Sequence, residues 1–193
     1  MTVPLRERRR RETAREIQLA TLRLAAERGL ERVTTEAIAE AVGISPRTFF
    51  NYYTNKESAS VGHPPGFSEE DCRNLRDGTG TVGDDLKKFL DAHAKHLGWS
   101  EEVIRHLGPV MTESGKVRAI LDQHMRDLTA DLAACLQARP PGMAPEIAQE
   151  LAGWALQGMG SAVGEWLAGT HPSLPAALDA LWPIRIAALR KLL

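Results

Sequence analysis

Two helix-start signals lie close together in residues 34–57, which read TTEAIAEAVGISPRTFFNYYTNKE. Thr34 is a good N-cap for a short helix, and Gly43 is the residue type that ends one. Ser45 then caps a second helix, whose first position is Pro46, where a missing N–H costs nothing. Two short helices joined by a glycine turn bury their inner faces by crossing closely. The segment therefore predicts a helix-turn-helix.

The expected second helix, Pro46–Tyr53, has two different faces. Ala39 is small enough to let this helix cross over it, and Gly43 supplies the left-handed backbone of the turn. The inner faces are expected to be apolar and comprise Ile38, Val42, Ile44 and Phe49. The outer face carries groups that can contact base edges or phosphates, namely Arg47, Thr48, Asn51 and Tyr52. A helical hairpin that packs on another protein would explain the small residues but not this polar set.

Aromatic residues concentrate in the same short segment. The chain is 5% aromatic, yet two of its four Phe and both Tyr lie between Gly43 and Glu57. We expect Phe49 and Tyr53 to point inward. The small N-terminal domain of residues 1–57, called the head below, then has to supply both its own core and a binding surface.

Charge is unevenly distributed along the 193 residues, although the net charge is only −1. Residues 1–57 contain eleven Lys and Arg against eight Asp and Glu, and six of the Arg fall within the first fifteen residues. A basic N-terminal arm on a mildly acidic body suggests contact with a polyanion. The alternative is that the Arg run is a solvated, frayed terminus.

The remaining sequence predicts helices separated by Gly and Pro breaks. The composition is rich in Leu and Ala, and no segment shows a convincing strand alternation. We therefore predict an all-α protein of about nine helices. Residues 1–57 are expected to form the basic arm and the helix-turn-helix domain, and residues 58–193 a helical ligand-binding and dimerisation domain. The predicted helices span about residues 10–28, 35–42, 46–53, 56 onward, 82–97, 101–111, 114–138, 145–168 and 174–193, and Ser68 could cap a further short helix over residues 69–76.

The segment TTEAIAEAVGISPRTFFNYYTNKES resembles the DNA-binding domain of TetR-family transcriptional regulators. The matching positions are Thr34, Ile38, Ala39, Gly43, Ser45, Thr48, Phe49, Phe50, Tyr52, Tyr53, Lys56 and Glu57. The preceding helix with AAERGLERVT extends the resemblance to about residues 10–57. The resemblance implies a homodimeric repressor that binds a palindromic operator in double-stranded DNA and is released by a small molecule.

The resemblance also assigns roles to individual residues of the head. It implies that Thr34, Thr35, Tyr52 and Lys56 contact phosphates. Arg47, Thr48 and Asn51 are candidates for base edges. Phe50 occupies a position where the family often has a DNA-contacting Tyr, and it keeps the apolar contact without the hydroxyl. The helix after Lys56 is expected to end early, because SASVGHPPGF follows it.

Two further sets of residues are expected in the C-terminal part. Small residues recur at helical spacing along the segment 145–168 and form a stripe with one larger member. We expect this stripe to pack on a twofold-related copy, with packing within the chain as the alternative; its residues are Gly153, Gln157, Gly160, Ser161 and Gly164. Adaptable and aromatic side chains are expected to line a pocket for a largely apolar effector, namely His93, His96, Trp99, Met111, His124, Met125 and Trp154.

Several function classes find no support in the sequence. No P-loop, nucleophile elbow, zinc-protease motif or dinucleotide fingerprint occurs, so we expect neither an enzyme nor a cofactor. The histidines lack the spacing of a metal site. The N-terminus lacks the apolar stretch of a secretory signal, no run reaches membrane length, and the two Cys are far apart, so we expect a cytoplasmic protein. Two alternatives stay open: a helical carrier or enzyme whose N-terminal bundle binds a protein partner, and an architectural DNA-binding protein without a ligand.

Overall fold

The computed structural model describes residues 5–96 and 101–191, and within these residues the regular structure is entirely helical. Ten α-helices and one 3₁₀ turn, Leu30–Arg32, follow one another along the described chain. The helices are α1 (Leu5–Arg28), α2 (Thr35–Val42), α3 (Pro46–Phe50), α4 (Lys56–Val61), α5 (Glu69–Arg76), α6 (Val82–His96), α7 (Glu101–Glu113), α8 (Gly115–Gln137), α9 (Pro145–Leu167) and α10 (Leu174–Arg190). The predicted all-α class is confirmed.

Side-chain caps begin the helices where the sequence placed them. Thr34 accepts a hydrogen bond from the backbone N–H of Ala37, and Ser45 accepts one from that of Thr48. Asn55 forms a capping box with Ser58 at the start of α4. Each of these contacts satisfies an N–H that the helix leaves unpaired, so the element starts follow from local chemistry.

Two boundaries differ from the prediction. Helix α1 begins by Leu5 instead of Arg10, so the Arg run from Arg6 to Arg11 is helical and is not an extended or frayed arm. Ion pairs between Glu7 and Arg11 and between Arg8 and Glu12, each one turn apart, stabilise this first part. Helix α3 ends at Phe50 instead of Tyr53, because the next N–H groups bond to carbonyls three residues back.

The chain divides into two compact units that do not follow its order. The first contains residues up to 64 together with 101–124, and the second contains residues 65–96 with 125–191. Helix α8 contributes its first part to one unit and the remainder to the other. The predicted division at residues 57 and 58 concerns function and stays a prediction, whereas these units describe packing.

The first unit has a core built from both of its segments. Ile17 and Leu22 of α1 are fully buried, and they pack in one cluster with residues of the helix-turn-helix. The same cluster includes side chains that follow much later in the sequence, namely Val103, Leu107, Val110 and Val117. Helix α1 packs against α2, α4 and α7. The head therefore shares its core with α7 and the start of α8.

The second unit packs α5, α6, α9, α10 and the remainder of α8 around its own apolar cluster. A buried ion pair joins Arg139 to Asp85, with Nη2 2.8 Å from Oδ2. Arg139 also donates to the carbonyls of Leu75 and Gly80, at 2.7 and 2.8 Å. Hydrogen bonds from Lys88 and Arg139 hold the pKa of Asp85 below its usual value despite its burial. This clasp ties α5, the following loop, α6 and the end of α8 together.

The described residues also bear on disulfides, metal sites and membrane spans. Cys72 and Cys135 are both free thiols and half-buried. Across residues 5–96 and 101–191, no group of three His, Cys, Asp or Glu is arranged to hold a metal ion. None of the helices in that part of the chain combines the length and apolarity needed to cross a membrane.

Candidate nucleic-acid interface

The turn between α2 and α3 has the geometry that the sequence predicts. Gly43 adopts a left-handed conformation with φ of 74° and ψ of 31°, and its N–H bonds to carbonyls of the preceding helix. The N–H of Ile44 then donates to the carbonyl of Ala39 at 2.9 Å, and Ala39 itself is buried. A residue with a Cβ would be strained at Gly43, and this backbone conformation allows α3 to cross α2.

The inner face of α3 fixes this helix to α1. Phe49 is fully buried, and the Tyr53 ring lies 6.2 Å from the Phe49 ring. The Tyr53 hydroxyl donates to the carbonyl of Ala14 at 3.0 Å. Burial raises the pKa of Tyr53 to about 12, so this hydroxyl remains a donor across the neutral range. Both aromatics that the sequence assigns to the interior lie there.

The side chains assigned to base edges lie on the open side of α3. Arg47 and Asn51 are exposed, while Thr48 is half-buried and its hydroxyl lies 2.9 Å from that of Ser45. Phe50 remains 54% exposed although its ring meets Phe49 edge-on at 5.3 Å. The exposed ring lies on the same open side as Arg47 and Asn51.

The residues assigned to phosphates are distributed over three elements. Thr34 is the N-cap of α2, and the Thr35 hydroxyl donates to Glu36 at 3.3 Å. Tyr52 lies in the turn after α3 and is half-buried. Lys56, in contrast, uses its ammonium within the protein: Nζ donates to the carbonyls of Glu31 and Val33, at 3.0 and 3.2 Å.

The Lys56 contacts were not apparent from the sequence. These contacts join residues more than twenty positions apart in the sequence. Their acceptors are backbone carbonyls, whose positions no residue pattern indicates. An ammonium has three N–H donors, so one is left for a phosphate while two hold the 3₁₀ turn against α4. The structure therefore gives Lys56 a stabilising role alongside its predicted binding role.

A wide cleft lies between the first turns of α1 and the open side of α3. Its volume is about 1170 Å³, and its lining comprises Leu5, Arg6, Glu7, Arg9, Arg10, Thr13, Thr48, Asn51 and Tyr52. The Arg10 guanidinium lies 5.7 Å from the centroid of the Tyr52 ring, a cation–π contact. The α1 side of this cleft was not predicted, because the Arg run was interpreted as an arm. The helical spacing of Arg6, Arg10 and Thr13 was the signal that could have found it.

The residues predicted to contact an effector are divided between the two units. His93 is buried in the second unit, with its ring edge-on to Phe67 at 4.7 Å. Trp154, in the same unit, packs on Trp182 at 5.1 Å. The remaining members lie elsewhere: Met111 packs on the core of the first unit, His124 is half-buried, Met125 is exposed, and Trp99 and the His96 side chain lie outside the described residues.

One cavity of the second unit lies between α5 and α6. Its volume is about 240 Å³, and its lining is Asp71, Asn74, Leu75, Asp85, Lys88, Phe89 and Ala92. None of the predicted effector contacts belongs to this lining. The effector site therefore stays a prediction.

The predicted dimer stripe lies on the outer face of α9. Gly153 is half-buried, whereas Gln157, Gly160, Ser161 and Gly164 are exposed. A Cβ added at any of the three stripe glycines would meet no atom within 4 Å.

The neighbouring Gly158 differs from the stripe. An added Cβ there would lie 2.8 Å from Nε of Arg185 on α10. Gly158 therefore allows close packing of Arg185 within the chain. The stripe itself faces outward from its own unit.

Comparisons with known proteins address the same head. The family model described as "Bacterial regulatory proteins, tetR family" matches residues 17–58. The "HTH-type transcriptional regulator TcmR" of Streptomyces glaucescens is 40% identical over 57 residues, which are 30% of this chain and 25% of that protein. The chain thus spans about a quarter of the length of this curated relative. The family model covers the helices from α1 to the start of α4.

Proposed function

We propose that this chain is a ligand-responsive repressor of the tetR family of bacterial regulatory proteins, whose family model matches residues 17–58. It binds a palindromic operator as a homodimer, and a small, largely apolar molecule releases it. The observation that carries the proposal is the open face of α3, where Arg47, Asn51 and Phe50 are exposed beside a basic cleft. A regulator of this kind is not an enzyme.

The head divides base contacts from phosphate contacts. Helix α3 enters the major groove, where Arg47 contacts a guanine edge and Asn51 an adenine edge. The exposed Phe50 ring packs on a thymine methyl or on the backbone. Phosphate contacts come from Tyr52, Lys56 and the start of α2 around Thr34 and Thr35, where free N–H groups favour an anion.

Dimerisation uses the outer faces of α9 and α10. The small residues of α9 leave space for a close helix, and each of the two helices exposes one large apolar side chain: Ile147 of α9 at 56% and Ile184 of α10 at 65%. Covering such side chains stabilises an interface by removing apolar surface from water. A twofold dimer presents two copies of α3 to half-sites about one helical turn or somewhat more apart.

Release by an effector follows from a shift between two states of the dimer. An effector that binds more tightly to the non-operator state favours that state by its difference in affinity. An apolar ligand would suit the aromatic side chains of the second unit, where Trp154 packs on Trp182.

The proposal is tested by selecting bound fragments from a genomic DNA library and measuring binding of the recovered operator against salt. We expect affinity to fall steeply with salt, because phosphate contacts release counterions. Arg47→Ala should relax base preference at one position. Lys56→Ala should weaken operator and scrambled DNA alike.

Two controls make the result interpretable. Arg73→Ala removes one exposed Arg from the second unit and should leave binding unchanged. The folded fraction of Lys56→Ala must be measured by circular dichroism, because Lys56 also holds the carbonyls of Glu31 and Val33. Failure of the wild-type protein to retain any duplex would overturn the proposal and favour a protein partner for the N-terminal bundle.

A further inference from the structure

The arginines at the start of α1 fall into two classes. Arg8 and Arg11 are paired with Glu12 and Glu7, at 3.6 and 3.1 Å. The other three, Arg6, Arg9 and Arg10, are exposed, and none of them forms an ion pair with another residue of the described chain. All three of these line the cleft beside α3, whereas neither paired Arg does.

The cleft has hydroxyl and amide groups on its other side. Thr48, Asn51 and Tyr52 form that side, and Thr13 lies further along α1. Glu7 is the acidic member of the lining, and its carboxylate is engaged by Arg11. The lining therefore combines unpaired positive charge with neutral donors, which is the chemistry that binds phosphate oxygens.

We infer that this cleft holds the sugar–phosphate backbone of one DNA strand next to the groove that α3 enters. The inference rests on the proposed function and adds a second binding surface to it. Arg6, Arg9 and Arg10 neutralise phosphates, and the hydroxyls of Thr13 and Tyr52 donate to phosphate oxygens. The contact of Arg10 with the Tyr52 ring holds one guanidinium on the α3 side.

Helix geometry matches the spacing of charge along DNA. Arg6 and Arg10 are four residues apart, so their Cα atoms lie about 6 Å apart along α1. One strand of a duplex carries a charge about every 3.4 Å along its axis, so this separation corresponds to about two phosphates. Two arginines one turn apart on α1 can therefore contact phosphates of the same strand.

The helical form of the segment decides between the backbone and the minor groove. An extended Arg-rich arm can enter the minor groove and contact bases there. A helix with its side chains is about 10–12 Å wide, whereas the minor groove is about 6 Å wide. Because α1 is helical from Leu5, its Arg residues contact the phosphates at the groove edge and do not read bases.

The test compares two double variants with the same charge change on the same helix. Arg6→Gln/Arg10→Gln removes two cleft arginines, and Arg8→Gln/Arg15→Gln removes two exposed arginines of the same helix that lie outside the cleft lining and leaves the pairing of Glu7 with Arg11 intact. Fluorescence anisotropy measures binding of the selected operator and of a scrambled duplex at salt concentrations between 50 and 300 mM. Circular dichroism confirms that each variant keeps its helical content.

The cleft variant should lose affinity for both duplexes alike, by about fivefold to tenfold per lost phosphate at 0.1 M salt. Its salt slope should fall in magnitude by about 1.8 per bound head. The control variant should keep at least four fifths of the wild-type slope. Equal slope changes in both variants would overturn the inference, since net charge alone would then explain them.

Two other outcomes are informative. A cleft variant that loses affinity for the operator only would mean that these Arg residues read bases, and it would overturn backbone binding. A cleft variant that matches the wild type would overturn this inference and leave the proposed function intact. A wild-type protein that binds neither duplex would overturn both.

Discussion

The buried pair of Arg139 and Asp85 gives the sharpest stability prediction. Arg139 is 7% exposed and Asp85 5% exposed, so neither charge is well solvated. Replacing Arg139 with Met removes a 2.8 Å ion pair together with two hydrogen bonds to the carbonyls of Leu75 and Gly80. The Asp85 carboxylate is then left with Lys88 at 2.9 Å and the N–H of Gly80 at 3.1 Å.

The expected cost follows from the charge that stays behind. Removing one member of a buried pair destabilises a protein by about 3–5 kcal/mol, because the other charge remains desolvated. Lys88 still contacts Asp85, so we expect about 3 kcal/mol for Arg139→Met. For a chain of this size, 1 kcal/mol shifts Tm by about 2–4 °C, which gives a decrease on the order of 10 °C.

The measurement is urea unfolding followed by tryptophan fluorescence. Trp154, Trp166 and Trp182 belong to the second unit, as does the pair, so their emission reports on the relevant transition. Asp85→Asn/Arg139→Met removes both charges and should recover at least half of the loss. Arg73→Ala, an exposed Arg on α5, should change the free energy of unfolding by less than about 0.5 kcal/mol.

A pH series makes the same reasoning refutable. The pKa of Asp85 is lowered in the folded protein, so its contribution is present above the ordinary carboxyl pKa and is lost as pH falls through the folded value. The difference between wild type and Arg139→Met should therefore shrink below pH 4. A double variant as unstable as the single one, or a difference that does not shrink at all as pH falls below 4, would refute the charge argument.

Four further predictions address other parts of the molecule. Tyr53→Phe should cost about 1 kcal/mol at pH 7 through the lost bond to Ala14. Because burial raises the pKa of Tyr53 to about 12, wild-type stability should decline between pH 10 and 12 more than that of Tyr53→Phe, as measured by urea titration. Burial and the neighbouring Cys72 raise the pKa of Cys135 to about 12, so the thiolate fraction at pH 8 is roughly a thousandfold smaller in the native than in the unfolded chain. Alkylation of Cys135, followed by mass spectrometry, should be slower in the native chain by a corresponding factor, and equal rates would contradict this. Gly158→Ala should destabilise the chain by displacing Arg185, whereas Gly164→Ala, with open space around it, should stabilise a monomer by up to about 1 kcal/mol; thermal melts of the pair check the difference. Ile184→Asp should convert a dimer into monomers in sedimentation velocity, and an unchanged molecular mass would argue against α10 in the interface.

Local signals were sufficient to predict most element boundaries. Caps such as Thr34, Ser45 and Asn55 act over three or four residues, so their effect is readable from the sequence. Gly43 likewise indicated a left-handed turn at the end of α2, whatever structure followed it. The start of α1 was misplaced because the Arg run was interpreted as a basic arm, whereas Arg8 and Arg11 pair with Glu12 and Glu7 one turn away.

The features that could not be predicted from the sequence all depend on contacts between residues that are far apart in the chain. Lys56 meets carbonyls of the preceding 3₁₀ turn, and Gly158 faces Arg185 on the next helix. The cleft beside α3 required knowing that α1 continues as a helix past it. The open face of α3 was predictable because the helix-turn-helix fixes which side is buried.

The discontinuous first unit has a consequence for the order of events during synthesis. The core around Ile17 and Phe49 is incomplete until Val103, Leu107, Val110 and Val117 have been made, some fifty residues after α4 ends. At about 5–20 residues per second, that interval lasts on the order of 3–10 s. During this time the nascent helix-turn-helix exposes the apolar side of α1 that α7 later covers, and residues 65–98 emerge before it is covered. The helix-turn-helix is thus translated before the residues of α7 and α8 that complete its core.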